Sequence, residues 1–567
     1  MAKYLAISIG PIFETLRPAR STKALWASSY VFSWIMREML KKLLNDVEEE
    51  KLEIIDLTME NKIAFQEHQG VGLFPDRFVA RILKSDYSDM QKVAREVMDD
   101  LAKMITKNLN DDKIGRAHVE KKRPVHSGNV EKGAVLNFLF QYFRILSVEM
   151  ELPEKESNPV KLLTDHLNSL ELAATRPPKE AFDILGSFFE NLFYNDLIKK
   201  GFNKDRFPSS PAIATSMFKH TMEKAYNACL KTLDDRSTPE ALRQQEFMNA
   251  LEIEAKDSFK LCHKYVAIVR ADADNMGHLF QSRDVAGKQT LANCLVEFSL
   301  MAATEVELYG GITTYAGGDD LLFMAPAVSL RKTKKGDYVP DHIFLLMERL
   351  DEKFKELVLD EAGITNEDLD KLAKEKKSPS MSYGVSICHY KYPMGESLEI
   401  AHSNLFTKIK SPKTKNAIAW NLTKHSGSGF GVTLQKHTSV FAAFQKLQLN
   451  NVPDKENPGK FLSSVIFKLE DLNGLFLGTA GLANRDVHFH SILYNNFNEK
   501  IHRDPKDEQK LSPYLRDVLA LITAVFDEHP LPSKKEAEQT KQQIKENLLT
   551  VYSCLRFIHF LNSPSKS

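Results

Sequence analysis

Thr313-Thr314-Tyr315-Ala316-Gly317-Gly318-Asp319-Asp320-Leu321-Leu322-Phe323-Met324 consists of two apolar runs of β-type residues joined by a tight turn holding a glycine pair and an aspartate pair. Adjacent carboxylates at a hairpin tip repel each other and are partly desolvated, so they are a poor way to stabilise a fold. They suit a hard divalent cation, which takes oxygen ligands. A cation that must also grip a triphosphate needs only one or two protein carboxylates. Asp319 and Asp320 are therefore expected to be catalytic metal ligands, with Gly317 and Gly318 giving a sharp turn and room for a nucleotide.

Working outward, Tyr265 to Ala271 reads as a strand ending in Asp272-Ala273-Asp274-Asn275-Met276-Gly277, and a helix from about Ala286 to Leu308 leads to Gly310-Gly311 and the hairpin. Such a crossover returns the chain so that the first strand pairs beside the hairpin, bringing Asp272 alongside Asp319. Three carboxylates are then expected to converge, as in the palms of nucleotide polymerases and cyclases, where two Mg²⁺ or Mn²⁺ ions act on a nucleoside triphosphate. Asp272 is expected as a direct ligand; Asp274 is either a second ligand or a loop-capping residue. Farther on, Ser382 to His389 reads as a strand, followed by Tyr390-Lys391-Tyr392-Pro393 and a helix from about Leu398. Lys408, Lys410, Lys413 and Lys415 precede the strand from Asn416 to Trp420, and Lys415, entering that strand, is the candidate for triphosphate oxygens, against a solvated loop. His389 reads as structural.

The start of the chain echoes this unit: Lys3-Tyr4-Leu5-Ala6-Ile7 matches Lys264-Tyr265-Val266-Ala267-Ile268, and a helix is expected from about Ser21 to Leu44. Laying Lys3 on Lys264 sets Pro11 opposite Asp272 and Phe13 opposite Asp274, so only the later copy presents acids at its strand end. One copy could catalyse while the other binds. Between the copies, Asp86 to Leu251 has mainly helical spacing broken by polar loops near 107–132, 153–159 and 176–179, and Lys121-Lys122-Arg123 reads as a solvated loop. Helical spacing returns from about Lys436 to Ile558, and Ser563 to Ser567 should fray.

A chain of 567 residues should divide into three or four domains. Lys and Arg number 76 against 76 Asp and Glu, so no global field announces nucleic acid and any such contact must be local. The five cysteines show no C-x-x-C spacing, which argues against a zinc ribbon or a disulfide framework and fits a reducing cytoplasm. No apolar run approaches the roughly 18 residues needed to span a bilayer, and Met1 leads straight into a strand-like segment without a signal-peptide core, so no membrane partner is expected.

The separated blocks resemble a known family, the large polymerase/cyclase subunit of type III CRISPR interference complexes in its Cmr-type, or III-B, form. Ile9 to Ile12 with Ala19 to Tyr30 is similar to that family's opening palm. Phe74-Pro75-Asp76-Arg77-Phe78 and Phe207 to Thr215 are similar to its inter-domain signatures, and the blocks at Asp272 to Gly277, Gly317 to Asp320 and Ser382 to Pro393 to its active palm. The resemblance implies an α+β fold: two ferredoxin-like palms, a helical insertion and an all-helical C-terminal domain. The expected divisions are 1–85, possibly completed by later segments, 86–255, 256–430 and 431–567. It further implies guide RNA, target RNA and other Cas subunits as partners, including a small helical subunit at the C-terminal domain. Target RNA would switch on transfer of AMP from ATP to a ribose hydroxyl, giving a nucleotide messenger for antiviral defence, either a cyclic oligoadenylate or an AMP conjugate of an acceptor such as S-adenosylmethionine. Asn275, Gly277 and Ser382 would join the donor nucleotide site, and Gly10, Pro11, Arg20, Lys23, Ser28 and Ser29 would contact the acceptor, with Trp26 in the core.

Two departures from the family stand out. Many relatives open with an HD-type nuclease, whereas this sequence starts with the palm and has no His-Asp dipeptide, so no DNase activity is expected. The zinc-binding cysteines of the inserted domain are missing, so no zinc is expected. Competing readings are a diguanylate-cyclase-like enzyme, disfavoured by Asp320-Leu321 where Glu-Phe is usual, a viral-type RNA polymerase, for which the helix-rich remainder offers no fingers, and a non-catalytic RNA-binding scaffold.

Overall fold

The computed structural model describes residues 1–44, 52–55, 70–84, 89–110, 131–153, 159–173, 208–218, 240–283, 285–332, 338–375, 377–410, 414–449, 452–454, 456–531 and 537–565. The basic run at 121–123, the loop at 176–179, Phe207, Cys229 and Lys413 lie outside the described residues.

Near the N-terminus, β1 (Ala2–Gly10), β2 (Leu52–Ile54), β3 (Arg77–Ile82) and β4 (Arg144–Leu152) form an antiparallel sheet in the order β2-β3-β1-β4. A second sheet uses β5 (Tyr265–Asp274), β6 (Ile312–Ala316) and β7 (Asp320–Pro326). A hairpin of β8 (Val328–Lys332) and β9 (Tyr338–His342) intervenes before β10 (Ser380–His389), β11 (Ala417–Thr423) and β12 (Gly429–Gln435). Its order is β12-β11-β10-β5-β7-β6, with β10 and β11 parallel. Counted within each unit, both sheets run fourth, first, third, second strand, which is the ferredoxin-like arrangement. The fold is α+β with two palms.

A later segment completes the first palm, as the sequence reading allowed, and two further details depart from that reading. β4 falls inside the stretch read as a helical insertion, so the first palm sheet draws on residues well beyond 85. β12 carries the second sheet past residue 430. The C-terminal part, read as all-helical, includes a small hairpin pairing Arg503–Asp504 with Asp507–Leu511.

Alternation along β5 decides what each face of the second sheet does. Tyr265, Ala267, Val269, Ala271 and Ala273 point into a large core backed by the helix Val285–Tyr309 and continuous with the C-terminal helices. Phe557 of the last helix sits 4.7 Å from Phe344 and 5.4 Å from Trp420 between ring centroids, so the palm and the C-terminal helices share one interior. Val266 and Ile268 point the other way, into a cluster with Leu16, Ala24 and Leu25 of the first palm. Arg270, Asp272 and Asp274 continue that same face. Gly72 bridges to Tyr315, and the Ala316 amide donates to the Gly72 carbonyl at 2.9 Å, fastening the first palm to the strand before the aspartate turn. No helix among the described residues is long and apolar enough to cross a membrane.

Candidate functional site

Each acidic residue is placed by its strand. Asp272 and Asp320 are direct cross-strand partners of β5 and β7, and the Ala273 amide donates to the Asp319 carbonyl at 3.1 Å, so Asp319 follows at the turn. The sequence reading put Asp272 beside Asp319; the register puts it beside Asp320. The turn is shaped from within. A Cβ on Gly317 would run into the Tyr315 ring and its hydroxyl, and Gly318 has φ +99°, so the hairpin itself favours glycine at both places. Ser299, fully buried on the helix behind, accepts the Gly318 amide at 2.9 Å, while its one proton is shared between the Leu295 carbonyl at 2.9 Å and the Gly318 carbonyl at 3.2 Å. Sequence reasoning missed this serine, because a serine on a helix carries no sign of what crosses it.

The acids are shared between two cations. Lys410 is ion-paired to Asp272 and lies 2.8 Å from Asp274 Oδ1. The Arg270 guanidinium lies 3.6 Å from Asp320 Oδ2. This division accounts for a departure from the expected convergence: among the described residues, no three His, Cys, Asp or Glu side chains stand close enough together to hold a metal as they are. Burial raises the Asp272 carboxyl against the pull of Lys410. Burial likewise pushes Asp320 up to about 7, with Arg270 opposing and Asp272 and Asp319 reinforcing. Asp320 Oδ1 is buried without a hydrogen-bond partner among the described residues. An orphaned carboxylate oxygen beside a second carboxylate fits an oxygen-seeking divalent cation that completes its shell with phosphate and water. Asp272, Asp319 and Asp320 would hold it.

Asp274 has a different occupation. Its Oδ2 accepts from Ser380 (3.0 Å), Ser382 (2.6 Å) and the Asn416 amide (2.9 Å), while Oδ1 takes Lys410. Although burial works against its charge, Lys410, Ser382 and Asn416 hold its carboxyl below the ordinary range. Three contacts on Oδ2 and one on Oδ1 tie the loop, as the capping reading expects, and leave one lone pair on Oδ1 for the ligand reading. Ser382 is buried as part of this knot rather than open to a nucleotide. Lys415 donates to Asn275 Oδ1 at 2.6 Å, and Asn275 adopts φ 63° as it caps the helix Met276–Gln281, which includes Gly277. Of the lysines, Lys410 stands on the acids and Lys415 one residue type away from them.

The acceptor candidates do not gather at one place. Gly10 and Pro11 line a cavity of about 470 Å³ at the end of β1, with Ser8, Glu14, Asp76, Arg144 and Glu171. Arg20 lines a separate cleft of about 740 Å³ with Arg17, Lys391 and Tyr392. Ser28 and Ser29 are buried within the helix Thr22–Leu44, where Ser28 bonds back to the Leu25 carbonyl, and Lys23 stands one turn before Ala27 on the same helix. Trp26 is buried, its Nε1 donating to the Gly70 carbonyl at 2.7 Å. His389 is buried against Tyr265 and Tyr390.

Strand pairing also fixes which residues of the two palms correspond. Ile9 donates to the Asp76 carbonyl as Ala273 does to Asp319, and Gly10 opens the pairing with β4 at Arg144 as Asp274 does with β10 at Ser380. Ser8 thus stands in the place of Asp272, Gly10 in that of Asp274, Asp76 in that of Asp319 and Arg77 in that of Asp320. The Lys-Tyr repeat, which set Pro11 opposite Asp272, is out of register with the sheets. Burial raises the Asp76 carboxyl, with the Arg77 and Arg270 charges opposing, so Asp76 feels a residue of the opposite palm.

Comparison with known proteins agrees with this geometry. Residues 265–419 match the family model of the Cas10/Cmr2 second palm domain, and residues 4–111 match that of the CRISPR-associated protein Cmr2, N-terminal. The CRISPR system Cmr subunit Cmr2 of Pyrococcus furiosus is 24% identical over 270 residues, covering 42% of this chain and 28% of that protein's length. The fold resembles a chain of the type III-B Cmr-beta cryo-EM structure in the apo state, with TM-score 0.55, 10% identity, and coverage of 93% of this chain and 82% of that one. The corresponding structure bound to cognate target RNA gives TM-score 0.54 and 11% identity over 93% of this chain and 83% of that one. Two family models thus match in order along one chain, on two sheets of the same strand order: residues 4–111 are similar to the Cmr2 N-terminal region and residues 265–419 to the Cas10/Cmr2 second palm domain.

Proposed function

We propose that this protein is a divalent-cation-dependent nucleotidyltransferase that moves AMP from ATP to a ribose hydroxyl, with the second palm holding the donor and the first the acceptor. The observation that carries the reading is the side-by-side placement of Asp272 and Asp320 across one strand pairing, against Ser8 and Arg77 at the equivalent places of the other palm. Bound at these acids, Mg²⁺ or Mn²⁺ supplies Lewis acidity toward the α-phosphate and the leaving pyrophosphate. The chain's own residues do the rest. Lys410 and Lys415, at the mouth of the acidic strand end, supply positive charge for triphosphate oxygens. The ribose oxygen bonds to the α-phosphorus, the bond to pyrophosphate breaks, and the hydroxyl proton leaves to water.

The acceptor cavity is lined by Glu14, Asp76 and Glu171 against Arg144, with Arg77 pairing Glu171 at 2.8 Å from the side. An acidic wall repels a second triphosphate and favours an acceptor with a cationic group, so an AMP conjugate of a sulfonium such as S-adenosylmethionine is favoured over a cyclic oligoadenylate. Control by target RNA, guide RNA and partner subunits follows from the family likeness. The test is product mass and pyrophosphate release from ATP with Mg²⁺ or Mn²⁺, with and without S-adenosylmethionine and the assembled RNA complex. A new adenylate lost in Asp319→Ala, Asp320→Ala supports the reading. Unchanged ATP under every condition would favour an RNA-binding scaffold.

A further inference from the structure

Arg270 lies two residues before Asp272 on the same face of β5, aimed at the seam between the palms. Its Nη2 approaches Asp320 Oδ2 at 3.6 Å, longer than a hydrogen bond, while its Nη1 lies 2.7 Å from His402 Nδ1 and its guanidinium covers the Phe406 ring at 5.0 Å. A guanidinium stays protonated, so His402 Nδ1 is the acceptor and the imidazole is neutral with its proton on Nε2. The His402 ring is held from both sides: Phe13 of the first palm stacks on it at 4.1 Å and 29°, and Phe406 lies 4.6 Å away. Phe13 sits in the short helix Ile12–Leu16, whose Ile12 and Glu14 line the acceptor cavity. A continuous line of contacts therefore runs from the cavity wall through Phe13, His402 and Arg270 to Asp320.

We infer that His402, fixed by Phe13, is a positioning residue that holds Arg270 back from Asp320 and so keeps that carboxylate available to a divalent cation. Among the described residues, nothing but the imidazole pairs with Nη1, so without it the guanidinium can close the remaining gap and dock on the carboxylate. Arg270 Nε is already buried without a partner among the described residues, so a fork-like grip on Asp320 would satisfy a donor that this geometry leaves unpaired. The arrangement gives the first palm a hold on the second palm's cation site. This rests on Asp320 being a cation ligand, as proposed above.

The inference assigns opposite signs to two neighbouring substitutions, which a loss of structure would not do. Mn²⁺ titration of the full chain, followed by the electron paramagnetic resonance of free Mn²⁺, is the measurement. Arg270→Met should tighten binding about fivefold by removing a competing charge. His402→Leu should weaken it about threefold by releasing Arg270 onto Asp320. The double variant should match Arg270→Met alone, His402→Gln, which keeps an acceptor, should restore wild-type affinity, and Phe13→Leu should shift affinity in the same direction as His402→Leu by less. His402→Leu with unchanged or tighter Mn²⁺ binding, or a double variant that binds as weakly as His402→Leu, would overturn the inference. Wild-type protein that binds Mn²⁺ through Asp320 yet releases no pyrophosphate would sink the transferase reading while leaving this restraint tested by binding alone.

Discussion

The two palms share a strand order and a hydrogen-bond register and differ in what stands at the strand ends. In the second, Asp272 meets Lys410, Asp320 meets Arg270, and Asp319 follows at the turn. In the first, Ser8, Asp76 and Arg77 occupy those places, and Arg77 pairs with Glu171 while Ser8 donates to the same carboxylate. The same scaffold thus carries different chemistry: where the second palm presents the acids proposed to hold a cation, the first places a serine in a cavity wall and an arginine paired beside it. Asp76 is the one acid retained, and it feels both Glu171 of its own cavity and Arg270 of the opposite palm.

Breaking the acids should separate the palms most sharply. Asp272→Asn with Asp320→Asn should lower the rate of pyrophosphate release at least about 100-fold, whereas Asp76→Asn should act mainly on the KM of the acceptor, by about tenfold. Equal losses of kcat would mean that the palms are not divided in this way. Next in size is a stability difference. His342, in the second palm, is buried with neither ring nitrogen bonded among the described residues, and burial lowers its pKa to about 3. The neutral form is favoured in the fold, so this contribution is present above the ordinary histidine value of about 6.5 and is lost as pH falls toward 3, at about 1.4 kcal/mol per pH unit. Hydrogen exchange should show the helix Ile343–Phe354 loosening below pH 6.5 before the first-palm helix Thr22–Leu44, and His342→Phe should remove the difference.

Lys410→Gln should raise the KM for ATP about tenfold while tightening Mn²⁺ binding in the absence of nucleotide, since the ammonium now occupies Asp272 and Asp274. An unchanged KM would remove Lys410 from the donor site. The smallest effect sharpens the account of the turn: Ser299→Ala should cost about 1 kcal/mol of stability, read by chemical denaturation, through the lost bonds to Gly318. No change would show that the glycine turn needs no support from the helix behind it.

Much of this was legible in the sequence because it depends on local pattern. Alternating apolar residues around Gly317 to Asp320 mark the hairpin, the apolar run before Asp272 marks β5, and 3.6-residue spacing marks the helix Val285–Tyr309. β4 was equally legible: Leu146, Val148, Met150 and Leu152 alternate with Ser147, Glu149 and Glu151, a period of two that the surrounding helical pattern obscured. Register was not legible. The Lys-Tyr repeat suggested the duplication but set Pro11 opposite Asp272, because five similar residues in two buried strands reflect what packs well rather than which amides pair. Nor were Lys410, Ser299, Arg270, His402 and Asp76 singled out as site residues, since each acquires its role from a partner far away in the chain. Only Arg270 carried a local signal, its even spacing from Asp272 and Asp274.

The most direct test is the anomalous signal of Mn²⁺ in a structure with a non-hydrolysable ATP analogue. Density is expected between Asp272 and Asp320, with Lys410 moved from the acids onto the triphosphate and none beside Ser8 and Arg77. Manganese and triphosphate seated in the first palm, or no metal at Asp272 and Asp320 with nucleotide bound, would contradict it.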